Sequence, residues 1–157
     1  MNAPIGTQAQ DRALANDLTA HHAVMVHQLD KLTNDLLDAG QNGAEAKERL
    51  IDWVHRILLP HAAEEEATTY SAAAALPQGA ALIDSMVREH KTIIALAVAF
   101  HSAEDLAVAA GYARSLYIVF EAHQSKENEI VIPMLLDAGI SLTEAMANAP
   151  ELHGHRH

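Results

Sequence analysis

The feature that most constrains the fold of this chain is an apolar stripe near its beginning. Positions three or four residues apart carry apolar side chains, with one histidine in the same series: Leu14, Leu18, His22, Met25, Leu29, Leu32 and Leu36. Such spacing places these side chains on one face of an α-helix. A helix with this face must bury it, and the glycines Gly40 and Gly43 predict where the helix ends.

Three more long helices follow from the same periodicity. The second is predicted to begin near Ala44 and to run toward Tyr70, with a kink at Pro60, because proline leaves the carbonyl four residues earlier without its helical partner. The third includes residues 82–97 and the fourth residues 116–130. The run Ser-Leu-Thr-Glu at residues 141–144 has the form of a capping box, so it predicts a short fifth helix.

No strand pattern competes with the helices, so we predict an all-α fold. Four long helices joined by short turns pack most simply as an up-down-up-down four-helix bundle, here with a short C-terminal fifth helix. The turn at residues 102–111 leaves two alternatives, an N-cap formed by Ser102 with Asp105 or a restart at Gly111. We expect a single domain at 1–157, with the bundle at about 8–138 and the short helix and a flexible tail at 141–157.

Composition excludes several functional classes. Cysteine is absent, which rules out disulfides, thiolate zinc sites and iron–sulfur clusters. A formal net charge of −11 disfavours nucleic acid and anionic membranes as partners, and the longest uncharged apolar stretch is too short to span a bilayer. The beginning of the chain lacks the layout of a signal peptide, so a cytoplasmic protein is expected. The 11 histidines, against 10 lysines and arginines, indicate metal binding.

Two of the predicted core helices repeat a histidine followed four residues later by a glutamate. The pairs are His61 with Glu65 and His123 with Glu127. In each pair the imidazole and the carboxylate lie one helical turn apart on the same face, close enough to bind one ion. One such pair is expected by chance in a chain rich in both residues, whereas two pairs on separate helices favour a shared site.

The spacing of four histidines around the predicted turns places them at one level of the bundle. In an antiparallel bundle, residues at equal depth lie equally far from the turn that joins their helices. The midpoints fall at 41.5, 75.5 and 106.5, each inside a predicted turn, for the series His22, His61, His90 and His123. At about 1.5 Å of rise per residue, an error of one residue changes this result little.

Four imidazoles and two carboxylates supply six donors of mixed nitrogen and oxygen character. Imidazole binds iron, copper, nickel and zinc, and carboxylates can bridge two ions. Six donors exceed the requirement of a structural zinc ion. The set fits two iron ions that share the glutamates and an oxo or hydroxo group, because the metal charge offsets the cost of burying two carboxylates.

The ordered set of motifs resembles the hemerythrin-like, HHE cation-binding family. The family pattern is a histidine, His-x3-Glu, a second lone histidine and a second His-x3-Glu, supplied here by His22, His61 with Glu65, His90, and His123 with Glu127. The match covers about residues 14–138, and the chain is similar to small actinobacterial hemerythrin-like proteins. The resemblance implies a four-helix bundle with a carboxylate-bridged di-iron centre that carries or senses dioxygen or, in some members, handles hydrogen peroxide or nitric oxide.

Two departures from the oxygen-carrying members bear on the activity. Those members have a second histidine on the third helix where this chain has Ile94, and their last carboxylate stands where this chain has Asn128. One iron would then keep an open position, which favours catalase- or peroxidase-like reaction with hydrogen peroxide or nitric oxide. Reversible binding or sensing of dioxygen is the alternative. A tyrosine, Tyr70 or Tyr117, is a candidate to fill the open position.

Other polar residues near the motifs receive simpler predictions. His22 lies on the apolar stripe and is favoured over its neighbour His21 as the first donor. Glu64 and Glu66 are expected at the solvated surface, and His27, His55 and His101 at the surface or the core boundary. The residues expected to fill the core are Trp53, Phe120 and Ile130. The tail histidines His153, His155 and His157 are expected to build no defined site. A monomer is expected, with a weak dimer as the alternative.

Overall fold

The computed structural model describes residues 5–149, and every regular element in that range is helical. The helices are α1 (Ile5–Asp38), α2 (Gly43–Trp53), α3 (Leu59–Ala67), α4 (Thr69–Ala74), α5 (Ala80–Ser102), α6 (Leu106–Lys126), α7 (Ile132–Asp137) and α8 (Leu142–Met146). The first bundle helix is α1, the second comprises α2–α4, the third is α5, and the fourth comprises α6–α7. The predicted all-α, four-helix bundle with a short fifth helix is confirmed.

Neighbouring bundle helices pack side by side. Helix α1 lies against α2 and α6, and α5 lies against α6 and the end of the second bundle helix, which closes the bundle. None of the helices in the described range combines the length and apolar character that a membrane span requires. The predicted tail, with His153, His155 and His157, lies outside the described residues.

The turns between the bundle helices are set by capping residues and one glycine. Gly40 adopts φ +51°, a left-handed conformation that an L side chain rarely takes, and it follows α1 almost directly. Asp105 caps α6, because its carboxylate accepts hydrogen bonds from the backbone N–H groups of Ala107 and Val108 at 2.9 and 3.0 Å. The alternative restart at Gly111 is wrong, since Gly111 lies inside α6.

Two of the bundle helices contain a π-helical turn just before a proline. The turns span Val54–Leu58 and Glu127–Val131, and Pro60 and Pro133 are each the second residue of the helix that follows. Proline has no N–H to donate, so the chain cannot keep a regular α-helical ladder there. The structure resolves this by a local change to i→i+5 hydrogen bonding, in which the Leu59 N–H donates to the Val54 carbonyl.

The short helix α8 is fixed at its beginning by two side chains. Ser141 accepts a hydrogen bond from the Glu144 N–H at 3.2 Å, as the capping box predicts. Asp11, buried on α1, accepts hydrogen bonds from the backbone N–H and the hydroxyl of Thr143 at 3.3 and 3.4 Å. These contacts hold α8 against α1, and α8 also packs on α4.

The apolar core consists of two clusters. The upper cluster includes Met25, Leu29, Leu50, Trp53, Leu58, Ile93, Phe100, Leu116 and Phe120. The lower cluster includes Ala15, Tyr70, Ile83, Met86, Val131, Ile132, Leu135 and Leu142. On every bundle helix a stretch of about two to three turns separates the two clusters, and this stretch carries the predicted histidines and glutamates.

Ile130 corrects one prediction about the core. Trp53 and Phe120 are buried as predicted, with ring centroids 6.1 Å apart, but Ile130 is 47% exposed. Ile130 lies in the π-helical turn Glu127–Val131, where the side-chain period departs from 3.6 residues. The inward position consequently falls on Val131, which is fully buried.

Candidate metal site

The structure brings the six predicted donors together in the layer between the two apolar clusters. They come from all four bundle helices: His22 on α1, His61 and Glu65 on α3, His90 on α5, and His123 and Glu127 at the end of α6. His61 keeps about a tenth of its side chain exposed, and the other donors are buried. Ring centroids are 5.1 Å apart for His22 and His61 and 4.7 Å apart for His90 and His123.

The donors fall into two groups that share one carboxylate. The first group is His22, His61, Glu65 and Glu127, and the second is Glu65, His90 and His123. Within each group, one nitrogen or oxygen atom per residue lies within 4.8 Å of those of the other members. Because Glu65 belongs to both, its carboxylate lies where it could bridge two cations.

Several inner atoms of the site lack a hydrogen-bond partner among the described residues. Both oxygens of Glu65, Oε2 of Glu127 and Nε2 of His61 are buried without one, and His61 Nε2 lies directly against Glu65 Oε1 without hydrogen-bond geometry. Burial of an unpartnered carboxylate or imidazole nitrogen is costly. Nitrogen and oxygen lone pairs directed at one another fit cations held between them, so the residues present suit a metal centre.

Burial controls the protonation of the two carboxyl groups. It raises the pKa of Glu65 to about 7. It also raises the pKa of Glu127 well above the ordinary value, and the neighbouring charge of Glu65 raises it further. Without a cation the pair therefore retains protons that exposed carboxyl groups would release. A cation bound between the two carboxylates would replace those protons.

Three of the imidazoles are held by hydrogen bonds on the nitrogen that faces away from the site. His90 Nδ1–H donates to Glu66 Oε1 at 2.9 Å, and His123 Nδ1–H donates to Glu89 Oε2 at 2.7 Å. His22 Nδ1 makes a 2.7 Å hydrogen bond with Asn128 Oδ1. An ionised carboxylate and an amide oxygen can only accept, so these bonds place the proton on Nδ1 and leave Nε2 as an unprotonated acceptor.

Burial also favours the neutral form of these rings. It lowers the pKa of both His22 and His123 to about 4, against the opposing effect of their hydrogen bonds to Asn128 and Glu89. It lowers the pKa of His61 and His90 in the same direction. Neutral imidazole is the form that binds metal ions, so all four rings are in the metal-binding state near neutral pH.

Tyr70 is the tyrosine that reaches the site. Its hydroxyl donates a hydrogen bond to His123 Nε2 at 2.8 Å and lies 3.4 Å from His90 Nε2. Its ring stacks on His90, with centroids 5.1 Å apart. Burial and the charges of Glu65 and Glu127 raise the pKa of Tyr70, so the phenol keeps its proton. The Arg114 guanidinium lies over the ring of the other candidate, Tyr117, 5.5 Å from its centroid.

The cavity beside the first donor group has a volume of about 100 Å³. Its lining includes Leu18, Ile132 and Met146 in addition to the donors, so α8 contributes to its wall. His21 also lines it, with its ring 5.5 Å from that of His61, but His21 is exposed and belongs to neither donor group. Glu64, predicted at the solvated surface, is instead half-buried, because it lies on the same wall of the cavity.

Sequence reasoning missed the outer residues of the site. Glu66 is 44% exposed, which agrees with its predicted surface position, yet its carboxylate holds His90. The sequence pattern predicts no role for Glu89, and Asn128 stands out in it only as a departure from the oxygen-carrying members. Their partners lie 24, 34 and 106 residues away along the chain, so spacing on one helix carries no signal for them. His27, His55 and His101 are exposed, as predicted.

Comparison with known proteins identifies one family. The family model for the hemerythrin HHE cation binding domain matches residues 13–135. The matched span includes all six donors and the bundle from α1 to most of α7. No curated protein and no solved structure matches the chain.

Proposed function

Because this chain belongs to the hemerythrin HHE cation-binding family, we propose that its six clustered donors bind two iron ions and that the centre reacts with a small oxidant, hydrogen peroxide or nitric oxide. The observation that carries the proposal is the position of Glu65. Its carboxylate belongs to both donor groups, and neither of its oxygens has a hydrogen-bond partner within residues 5–149. A single ion would leave one of the two groups, with its buried imidazoles, unused.

The donor chemistry supports iron as the metal. Each group combines two imidazoles with at least one carboxylate, and such mixed nitrogen and oxygen sites in helical bundles hold iron and related ions. The absence of cysteine excludes thiolate ligation. We therefore propose His22, His61, Glu65, His90, His123 and Glu127 as the ligand set, with an oxo or hydroxo group completing the bridge.

The unequal size of the two groups supports reaction with an oxidant over storage of dioxygen. The second group has three members against four in the first, and α5 supplies no other imidazole to it. Ile94, at the position where oxygen carriers have a second histidine, is 41% exposed and lies in a separate cleft with His55 and His101. A metal ion with fewer protein ligands keeps a position for a small molecule. Iron held there would supply electron exchange and Lewis acidity.

The chain's own residues control access and proton positions. The cavity is small, and Leu18, Ile132 and Met146 make part of its wall apolar, so it admits molecules of a few atoms and excludes larger substrates. Tyr70 holds a proton on its hydroxyl beside the imidazoles of the second group. That phenol is a buried proton donor in contact with the second donor group.

Metal analysis and gas measurements test the proposal. Protein from iron-supplemented cells should contain about two irons per chain, and added hydrogen peroxide should release dioxygen, two peroxides giving two waters and one dioxygen. Glu65→Ala should lose most of the iron and the activity, because both groups lose a donor. Glu129→Gln, an exposed position two residues after Glu127, is the matched control and should retain both.

Each alternative gives a different result. Reversible dioxygen uptake without turnover of peroxide or nitric oxide would contradict the oxidant reaction and support a dioxygen carrier or sensor. Retention of a single iron would contradict the dinuclear centre. Absence of stoichiometric iron would overturn the proposal entirely.

A further inference from the structure

The two donor groups differ in the charge that stands behind their imidazoles. Both imidazoles of the second group, His90 and His123, donate their outer N–H to a carboxylate, from Glu66 and Glu89 respectively. In the first group, His22 is bonded to the neutral amide of Asn128. The structure therefore places two negative charges behind one half of the site and an uncharged acceptor behind the other half.

Glu89 is fixed more firmly than Glu66. Its carboxylate also accepts a hydrogen bond from Lys126, one turn after His123 on the same helix, and 24% of its side chain is exposed. The hydrogen bonds from His123 and Lys126 engage both oxygens of the Glu89 carboxylate, one each. Glu66 is 44% exposed and has no second partner within the described residues, so solvent screens its charge more strongly.

A carboxylate behind a metal-bound imidazole changes the metal as well as the ring. It fixes the tautomer, so that Nδ1 carries the proton and Nε2 remains free to bind. It also draws that proton toward itself, which makes the imidazole a stronger electron donor. A stronger donor stabilises the higher oxidation state of the metal, so the reduction potential falls.

We propose that Glu66 and Glu89 are positioning residues for His90 and His123, and that the charge they place behind these imidazoles makes the two metal positions inequivalent by lowering the reduction potential of the position formed by Glu65, His90 and His123. This inference rests on the proposed function, because it requires iron at the site. The amide behind His22 leaves the other position without this contribution.

Isosteric substitutions test the charge without removing the hydrogen-bond acceptor. In the iron-loaded protein, Glu89→Gln should raise the midpoint potential by the equivalent of a tenfold change in the ferric-to-ferrous ratio, which is about 59 mV for one electron. Glu66→Gln should raise it less, because its charge is more exposed. Both variants should retain iron about 10- to 100-fold less tightly in competition with a ferrous chelator.

A substitution that adds a negative charge behind an imidazole provides the decisive comparison. Asn128→Asp places a carboxylate behind His22 and should lower the midpoint potential. Glu64→Gln removes a carboxylate from the cavity wall that makes no hydrogen bond or ion pair to an imidazole in the described part of the chain, so the shift should be much smaller. Structural damage alone would not move the potential in opposite directions in the two kinds of variant.

The outcomes separate this inference from the proposed function. If the wild-type protein and the glutamine variants each hold two irons and all have the same midpoint potential, the inference is wrong and the di-iron function stands. An equal shift in Glu64→Gln and Glu89→Gln would also overturn it, because the hydrogen bond would then have no role. A wild-type protein that binds no iron overturns both. If the glutamine variants fail to fold, the Asn128→Asp variant still tests the inference. A midpoint potential that does not fall in this variant would overturn the inference and leave the di-iron function standing.

Discussion

The upper cluster and the layer of six metal-binding donors, called here the donor layer, are both buried in the bundle but differ in chemistry. In the upper cluster, side chains such as Leu50, Phe100 and Leu116 are fully buried and make no polar demands. In the donor layer, about two to three turns away along the helices, similarly buried positions carry imidazoles and carboxylates. Several of their inner atoms, including both oxygens of Glu65, have no hydrogen-bond partner in the described part of the chain. The same four helices thus have a region that stabilises the fold and a region that costs stability when no metal is bound.

We therefore expect the bundle to fold without a metal ion in the donor layer. Burial of large apolar side chains contributes about 1.5–3 kcal/mol each, which can offset a polar layer of six side chains. The polar layer in turn stays rigid because apolar clusters close it from both sides. Three changes in the metal-free protein test this division of roles, in order of their effect on the free energy of unfolding.

The largest effect is expected from truncation in the upper cluster. Phe100 is fully buried, so Phe100→Ala should lower the free energy of unfolding by about 3–5 kcal/mol, through lost burial and a new cavity. Denaturant titration measures this loss. Iron content per folded chain should not change, because Phe100 belongs to neither donor group.

The matched control is Ile94→Ala on the same helix. Ile94 is 41% exposed, so its truncation should change the free energy of unfolding by only about 0.5 kcal/mol. Equal losses in the two variants would mean that the upper cluster does not dominate stability. Loss of iron in folded Phe100→Ala would mean that the two regions are not independent.

The second effect is a dependence on pH that originates in the donor layer. His22 and His123 have a pKa of about 4 in the folded protein against an ordinary value of 6.5, so from pH 6.5 down to 4 the unfolded chain binds more protons than the native one. Each ring alone should lower the free energy of unfolding by about 3 kcal/mol across this window.

Glu65 acts in the opposite sense. Its pKa is raised to about 7 from 4.5, so between these pH values the native state binds a proton that the unfolded chain releases. The contribution of Glu65 to the free energy of unfolding therefore increases as pH falls from 7 to 4.5. The four lowered imidazoles outnumber the two raised carboxyl groups, so a net loss in the free energy of unfolding is expected between pH 6.5 and 4. Denaturant titrations across the range measure it. In the double variant His22→Gln, His123→Gln, the free energy of unfolding should fall less between pH 6.5 and 4. The same dependence on pH as in the wild type would show that these two imidazoles are not its origin.

The smallest effect is a gain of stability from removing a donor. At pH 8, Glu65→Gln should raise the free energy of unfolding of the metal-free protein by about 1–2 kcal/mol, because it removes a buried charge beside Glu127. The gain should vanish below pH 6, where Glu65 is already protonated. Thermal and denaturant unfolding at both pH values measure it, with exposed Glu129→Gln as the control. A loss of stability at pH 8 would show that Glu65 supports the metal-free fold.

Much of the bundle and the meeting of its donors follow from regularity in the sequence. Apolar residues recur with helical period, and a helix rises by a fixed distance per residue, so equal separation from a turn implies equal depth. The four histidines therefore meet at one level, in the layer that the spacing predicted. The π-helical turn before Pro133 breaks that regularity, which is why the predicted core position Ile130 is exposed and Val131 is buried.

The sequence by itself determined which residues share a helical face and at what depth, since covalent geometry and helical period fix both. Tertiary structure decided which groups meet across helices: Tyr70 at His123, Glu89 behind the same ring, and Asn128 behind His22. These pairings depend on the rotation and lateral approach of neighbouring helices, which are set by how the side chains of all four pack together. No spacing within a single helix contains that information.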